Sequence, residues 1–214
     1  MNRTDWDHYY ERPYKTAAVT RRITAFYLIR LLLRSLETER PSIIELGGAN
    51  SCFIDALYAK LNPADYTVVD NNELGLSLLE QRKREKSNLI LVNDDVLNPC
   101  REAAADLVFS VGLIEHFDVS GTRAAIGTHF RFARPDGLVL LGFPTPTWLY
   151  RATRGLSEFL KLWQFPDERA LSVREVLETV SQHGVVRAEA LIWPIFLTQG
   201  LLLCKKYDSG VQQF

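Results

Sequence analysis

Along the chain short β-branched apolar runs alternate with longer segments whose apolar positions recur with a period near 3.6, the signatures of buried strand and amphipathic helix. Short β-branched runs fall at residues 43–46, 66–69, 89–92, 106–111 and 138–143. Before and between them lie longer segments with apolar residues every three or four positions, at 16–36, 51–61, 73–86 and 120–134. Asn62-Pro63 stops the second of these helices. The third is leucine-rich on one side and charged on the other. Pro135-Asp136-Gly137 reads as a turn into the fifth strand. An atypical aromatic stretch follows at 144–169, predicted as a helix over 147–163 and a proline-containing turn. Ser172, with Glu175 three residues on, forms a capping box for a helix reaching about residue 182. Runs at 186–193 and 197–204 then predict two strands with a short connection. Regular alternation of strand and helix calls for a parallel sheet covered on both faces. The predicted fold is α/β, a single doubly wound seven-stranded sheet, mostly parallel with a C-terminal antiparallel hairpin and helices on both faces.

Composition narrows the function. The 214 residues are 47 % apolar and 24 % charged, enough for a core that folds without staples. A formal charge of −1 supplies no basic face, so nucleic acid is not expected as a partner. Cys52, Cys100 and Cys204 are odd in number and far apart, which fits a reducing compartment. His8, His116, His129 and His183 are equally scattered, and no His/Cys set has zinc-ligand spacing, so no metal is expected. The opening MNRTDWDHYY lacks the order of a signal peptide. The longest apolar stretch, 23–33, is too short to span a bilayer and is broken by Arg30. A cytoplasmic location is the expectation.

The chemistry concentrates at strand ends. The first strand runs into Glu45-Leu46-Gly47-Gly48-Ala49-Asn50-Ser51, an acidic residue followed by a small-residue turn into a helix. Such a turn lets backbone approach a nucleotide-like ligand closely, while the helix start offers free N–H groups. Asp70 ends the second strand, where a carboxylate can accept hydrogen bonds from both ribose hydroxyls.

This arrangement resembles the class I S-adenosylmethionine-dependent methyltransferase superfamily, of small-molecule type, over most of the chain after about residue 42. The family's acidic residue and G-x-G-x-G turn read here as Glu45 and residues 47–51, with Ala49 and Ser51 in place of the second and third glycines. Further landmarks are Asp94-Asp95-Val96, the stretch Asp106-Leu107-Val108-Phe109-Ser110-Val111-Gly112-Leu113-Ile114-Glu115-His116-Phe117, and Ala133-Arg134-Pro135-Asp136-Gly137-Leu138. The resemblance implies S-adenosyl-L-methionine as cofactor. It places Glu45 near the cofactor's amino group, with Gly47, Gly48, Ala49 and Asn50 as the close backbone and Asn50 or Ser51 bonding the methionine portion. Asp70, beside Asn71, holds the ribose. Asp95 and Val96 meet the adenine, with Asp94 as the alternative carboxylate, and Ser110, Val111 and Gly112 line the methionine side. Residues 42–214 then form a Rossmann-like methyltransferase domain with an acceptor-site insert at about 144–170. Residues 1–41 add a helical and aromatic lid segment to the same domain.

Several residues carry two readings. His116 is either a general base on an acceptor hydroxyl or a structural support of the cofactor loop. Trp6, Tyr9, Tyr10 and Tyr14 form either a lid or surface packing. The helix at 16–36, with Arg21, Arg22, Arg30 and Arg34, packs on the domain or lies on a membrane surface. The aromatic insert builds a hydrophobic or ring-bearing acceptor site or a satellite core. No Asn/Asp-Pro-Pro-Tyr/Phe tetrapeptide ends the fourth strand, which argues against amino-group methylation of bases or glutamine by that route. An oxygen nucleophile of a small molecule is the expected acceptor, with glycan, lipid-linked sugar, polyketide and quinone-like compounds all open. The rival readings are a nicotinamide-dependent oxidoreductase, which would prefer G-x-G-x-x-G, and a non-catalytic cofactor-binding or membrane-surface module of the same fold. Oligomeric state is not visible in the sequence.

Overall fold

Each β-branched run becomes a strand of one seven-stranded sheet, in the computed structural model that describes residues 3–11, 17–193 and 198–208. The strands are β1 (Ser42–Leu46), β2 (Asp65–Asp70), β3 (Leu89–Asn93), β4 (Ala105–Val111), β5 (Ala133–Pro144), β6 (Gly184–Ile192) and β7 (Gln199–Lys206). Their spatial order is β3-β2-β1-β4-β5-β7-β6. The first five pair in parallel, while β7 is antiparallel to both β5 and β6. The expected mostly parallel sheet with a C-terminal antiparallel hairpin is what forms. Tyr14, residue 16 and residue 197 lie outside the described residues.

Alternation along each central strand feeds two cores. Ile44, Val108, Val139, Leu141 and Leu202 point to one face, where they meet Ile126 and Phe130 of α5 (Val119–Phe132) and Val176 and Val180 of α7 (Val173–Val180). Ile43, Leu107, Phe109, Leu140 and Leu203 point to the other. There they meet Leu28 and Leu32 of α2 (Ala17–Leu32), Leu57 of α3 (Ile54–Leu61) and Leu79 of α4 (Glu73–Glu85). Strands buried on both faces explain why β4 and β5 read as nearly continuous apolar runs. The far side of α2 leaves Val19 and Phe26 exposed, with Leu33 just beyond its end. No helix among the described residues is long and apolar enough to cross a membrane.

Where element bounds differ from expectation, local chemistry accounts for it. A short helix, α1 (Trp6–Glu11), stands in the aromatic N-terminal segment, started by the Asp5 carboxylate accepting from the His8 amide at 3.0 Å. The insert helix α6 (Trp148–Phe159) ends before residue 163, because Lys161 takes a left-handed φ of 56°. Pro135-Asp136-Gly137 does not separate helix from strand. Asp136 adopts the left-handed φ of 60° that a turn requires, but the residues are absorbed into β5, whose register with β4 shifts between Ala105 and Leu107. Ser172 caps α7 as expected, accepting from the Glu175 amide at 3.2 Å. The Glu175 carboxylate turns instead to Arg169, at 2.6 Å.

The order of the sheet reverses between β1 and β4, and loops leaving these two strands diverge to opposite faces. A crevice outside the carboxyl ends of the strands at this switch point is where open α/β sheets bind ligands.

Candidate functional site

A cavity of about 760 Å³ occupies that crevice, within the range of small-molecule sites. It is lined by the turn after β1, the ends of β2 and β4, the loop after β3, α1, and the tail of the insert. Among the sequence-predicted residues, Glu45, Gly47, Gly48, Ala49, Asn50, Asp70, Asn71, Asp95, Val96, Val111, Gly112 and His116 all face it.

The β1 turn holds its shape through backbone conformations and one buried carboxylate. Gly47 has φ +66°, and a Cβ there would lie 2.7 Å from Leu113 Cδ1, so both conformation and contact demand glycine. Glu45 is buried beneath the turn, its Oε1 accepting from the Ser51 hydroxyl at 2.8 Å and its Oε2 from the Tyr66 hydroxyl at 2.7 Å. Ser51 in turn accepts from the Phe53 amide at 3.1 Å. Serine in place of the third motif glycine is therefore a strut between strand and turn, and its hydroxyl is directed to Glu45 rather than left for a ligand.

Burial pushes the Glu45 carboxyl up to about 7, against the lowering effect of its Tyr66 and Ser51 hydrogen bonds. Folded Glu45 thus holds its proton more tightly than the unfolded value of 4.5. The stability this confers is full below pH 4.5 and is lost as pH rises toward 7. Wild type is expected to lose about 3 kcal/mol across that window relative to Glu45→Gln, in urea denaturation at a series of pH values. Tyr66→Phe, which removes one donor from the buried carboxylate, should cost about 1–3 kcal/mol in the same assay at pH 7.

Asp70 closes β2 and also organises the turn. It accepts from the Ala49 amide at 2.9 Å and the Asn72 amide at 2.8 Å. Burial raises its pKa, and the amides of Ala49, Asn72 and Asn71 work against that rise. Beyond β3 the two neighbouring carboxylates separate. Asp94 accepts from the amides of Asp95 and Cys100 and does not line the cavity, whereas Asp95 does.

Ser110 departs from the expectation. It is fully buried and bonded to His129 Nε2 at 2.8 Å, on the sheet face opposite Glu45. His129 Nδ1 lies 2.7 Å from the Ala125 carbonyl, which can only accept. The proton therefore sits on Nδ1, and Ser110 donates to Nε2. Burial holds this imidazole down at about 4, so the pair is a neutral core bridge, with Ser110 unavailable to a ligand.

The other end of the cavity is acidic and aromatic. Following Gly112, at φ +78°, a 3-10 turn at Ile114–His116 presents Glu115 and His116. His116 Nδ1 is 3.1 Å from Asp167 Oδ1. Asp167 also receives the Thr4 amide, at 3.1 Å, and the Thr4 hydroxyl. Trp6 packs edge-on against the imidazole, with ring centroids 4.8 Å apart, and Phe165 closes on the same ring at 5.8 Å. Burial lowers the His116 pKa, while Asp167 pulls it back up. Glu168 receives the Tyr150 hydroxyl, which Arg154 supports at 3.0 Å. Ligand atoms of Glu115, His116 and Glu168 lie within 4.8 Å of one another, a grouping that their spacing in sequence gave no sign of.

Asp167 and Glu168 line the cavity without a place in the sequence reading, and Glu115 stood there only as part of the 106–117 landmark. The signal available was two adjacent acids after Phe165-Pro166, at the end of an insert expected to border the acceptor. Of the aromatic N-terminal residues, Trp6, Tyr9 and Tyr10 line the cavity, as a lid would.

Residues 44–141 match the family model described as a methyltransferase domain. No curated protein sequence matches the chain. Solved structures similar in fold include the N-methyltransferase NodS from Bradyrhizobium japonicum WM9 in complex with S-adenosyl-L-homocysteine. It is 17 % identical over 84 % of this chain and 86 % of that one, with a TM-score of 0.66. The magnesium protoporphyrin IX methyltransferase ChlM from Synechocystis PCC 6803, with bound S-adenosylhomocysteine, is 13 % identical over 86 % of this chain and 82 % of that one, with a TM-score of 0.70. An O-methyltransferase family protein from Burkholderia thailandensis is 15 % identical over 88 % of this chain and 60 % of that one, with a TM-score of 0.62.

Proposed function

We propose that the chain, whose residues 44–141 match a methyltransferase-domain family model, is a class I S-adenosylmethionine-dependent methyltransferase that methylates an oxygen nucleophile of a small-molecule acceptor, with His116 as the base. The observation that carries the choice of oxygen is the His116–Asp167 pair at the cavity wall.

The residues present fit the cofactor. A turn that admits close backbone approach lies between one carboxylate at the end of β2 and another beyond β3, all facing a single cavity. Asp70 would hold the ribose, Asp95 and Val96 the adenine, and residues 47–50 with Val111 and Gly112 the methionine portion. When bound, S-adenosylmethionine supplies the methyl group on a sulfonium, which needs little covalent help to leave.

The chain's own task is alignment, exclusion of water and proton removal. A carboxylate only accepts, so Nδ1–H of His116 donates to Asp167 and leaves Nε2 with a free lone pair for an acceptor hydroxyl proton. Asp167 is a positioning residue. It fixes the tautomer, and Thr4 ties it to the lid segment. Trp6 and Phe165 shield the imidazole from solvent, and burial keeps it neutral near pH 7.

Incubation with methyl-labelled S-adenosylmethionine and a panel of phenolic, sugar and carboxylic acceptors tests this reading. The expected product carries the label on oxygen. Label found only on nitrogen or carbon across the panel would overturn the oxygen assignment.

A further inference from the structure

The Glu115 carboxyl is not fully answered by the described residues. Its side chain is 2 % exposed, it lines the cavity, and Oε2 has no hydrogen-bond partner among the described residues. The nearby cations hold other partners, although Arg169 Nε is itself unpaired among the described residues. The Arg169 guanidinium reaches Glu175 at 2.6 Å and Thr122 at 3.1 Å, and Arg154 reaches Glu158 at 2.8 Å and the Tyr150 hydroxyl. His116 already faces Asp167. The negative groups, by contrast, crowd together. Burial, then the charges of Glu168 and Asp167, hold the Glu115 carboxyl well above its ordinary range. A buried, unpaired carboxyl costs free energy that a positive partner would offset.

We infer that Glu115 and Glu168 form a cation subsite for a protonated amine carried by the methyl acceptor. This inference rests on the reading of the cavity as a methyl-acceptor site and names the acceptor class. An organic ammonium suits the surroundings because the walls beside the carboxylates are aromatic. Trp6 and Phe165 present rings around His116, favourable both to a cation and to the apolar body that bears it. The amine anchors the acceptor, and His116, next in the chain, faces the nucleophile.

The test is calorimetric binding of matched ligand pairs, tyramine against 4-ethylphenol and glucosamine against N-acetylglucosamine, with and without S-adenosylhomocysteine. In at least one pair the amine should bind tenfold or more tightly than its neutral counterpart, and Glu115→Gln, which keeps the shape, should abolish that preference. Equal affinity within both pairs, or a preference that survives in Glu115→Gln, would overturn the inference. So would stoichiometric Mn²⁺ binding lost in Glu115→Gln, which would give the carboxylates to a metal. Weakened S-adenosylhomocysteine binding by the same variant would give Glu115 to the cofactor's own ammonium and overturn it equally. Amine preference without any S-adenosylhomocysteine binding would leave the subsite standing and remove the methyltransferase reading beneath it.

Discussion

Asp70→Ala is expected to bind S-adenosylhomocysteine at least about 100-fold more weakly than wild type, since hydrogen bonds to a charged group contribute about 1.5–3 kcal/mol each and two ribose hydroxyls would lose their acceptor. Part of the loss would arise indirectly. Asp70 also receives the Ala49 and Asn72 amides, so the variant leaves two backbone donors unpaired and loosens the turn that carries residues 47–50. A lower melting temperature should accompany the affinity loss, and circular dichroism establishes that the fold persists. Asp95→Ala separates the two effects. Among the described residues its carboxylate accepts from the Leu97 amide, at 2.9 Å, at an exposed loop position, so affinity should fall about tenfold with little change in stability.

The second large effect concerns His116. Replacement by alanine should lower kcat by about 10²–10⁴-fold, the usual contribution of a positioned base, with little change in cofactor affinity. Asp167→Asn should also lower kcat, and the direction of its pH effect is diagnostic. The base must be neutral, so activity falls on the acid side as His116 takes up a proton. Burial sets that pKa below the ordinary 6.5, and the Asp167 charge and hydrogen bond hold it up from still lower values. Removing the charge should therefore move the acid limb of the kcat profile to lower pH while its plateau drops. A histidine that only supported the loop would lose activity on substitution without any movement of that limb in Asp167→Asn.

The parts of this molecule that were legible in its sequence are those set by local periodicity and by strand ends. Short apolar runs at 43–46 and 106–111 mark the central strands, and the acidic residues Asp70 and Asp95 sit at the carboxyl ends of β2 and β3, where the loops of a parallel sheet converge. Ser110 falls away from the cavity by strand parity. It shares the face of Val108, which packs under α5 beside His129, while Val111 and Gly112 beyond it reach the cavity. Ser51 looked like a lost glycine. Only the fold shows that its hydroxyl meets Glu45, six positions back, and that Tyr66 answers the other oxygen. The acceptor end was the least legible. His116 meets Asp167 across 51 positions and Thr4 meets it across 163, and no period or motif reports contacts at such separation. The bounds of α1 are illegible for a different reason, since six residues with one capping carboxylate give too short a pattern to read.

The measurement that bears most directly on the central claim is calorimetric titration of the folded chain with S-adenosylhomocysteine, with NAD⁺, NADP⁺ and Asp70→Ala in parallel. The account predicts saturable binding of one S-adenosylhomocysteine per chain, at least about 100-fold weaker in Asp70→Ala, and none of the nicotinamide nucleotides. Failure of a folded sample to bind S-adenosylhomocysteine at high concentration would contradict it, leaving an oxidoreductase if a nicotinamide nucleotide bound and a non-catalytic module if neither did.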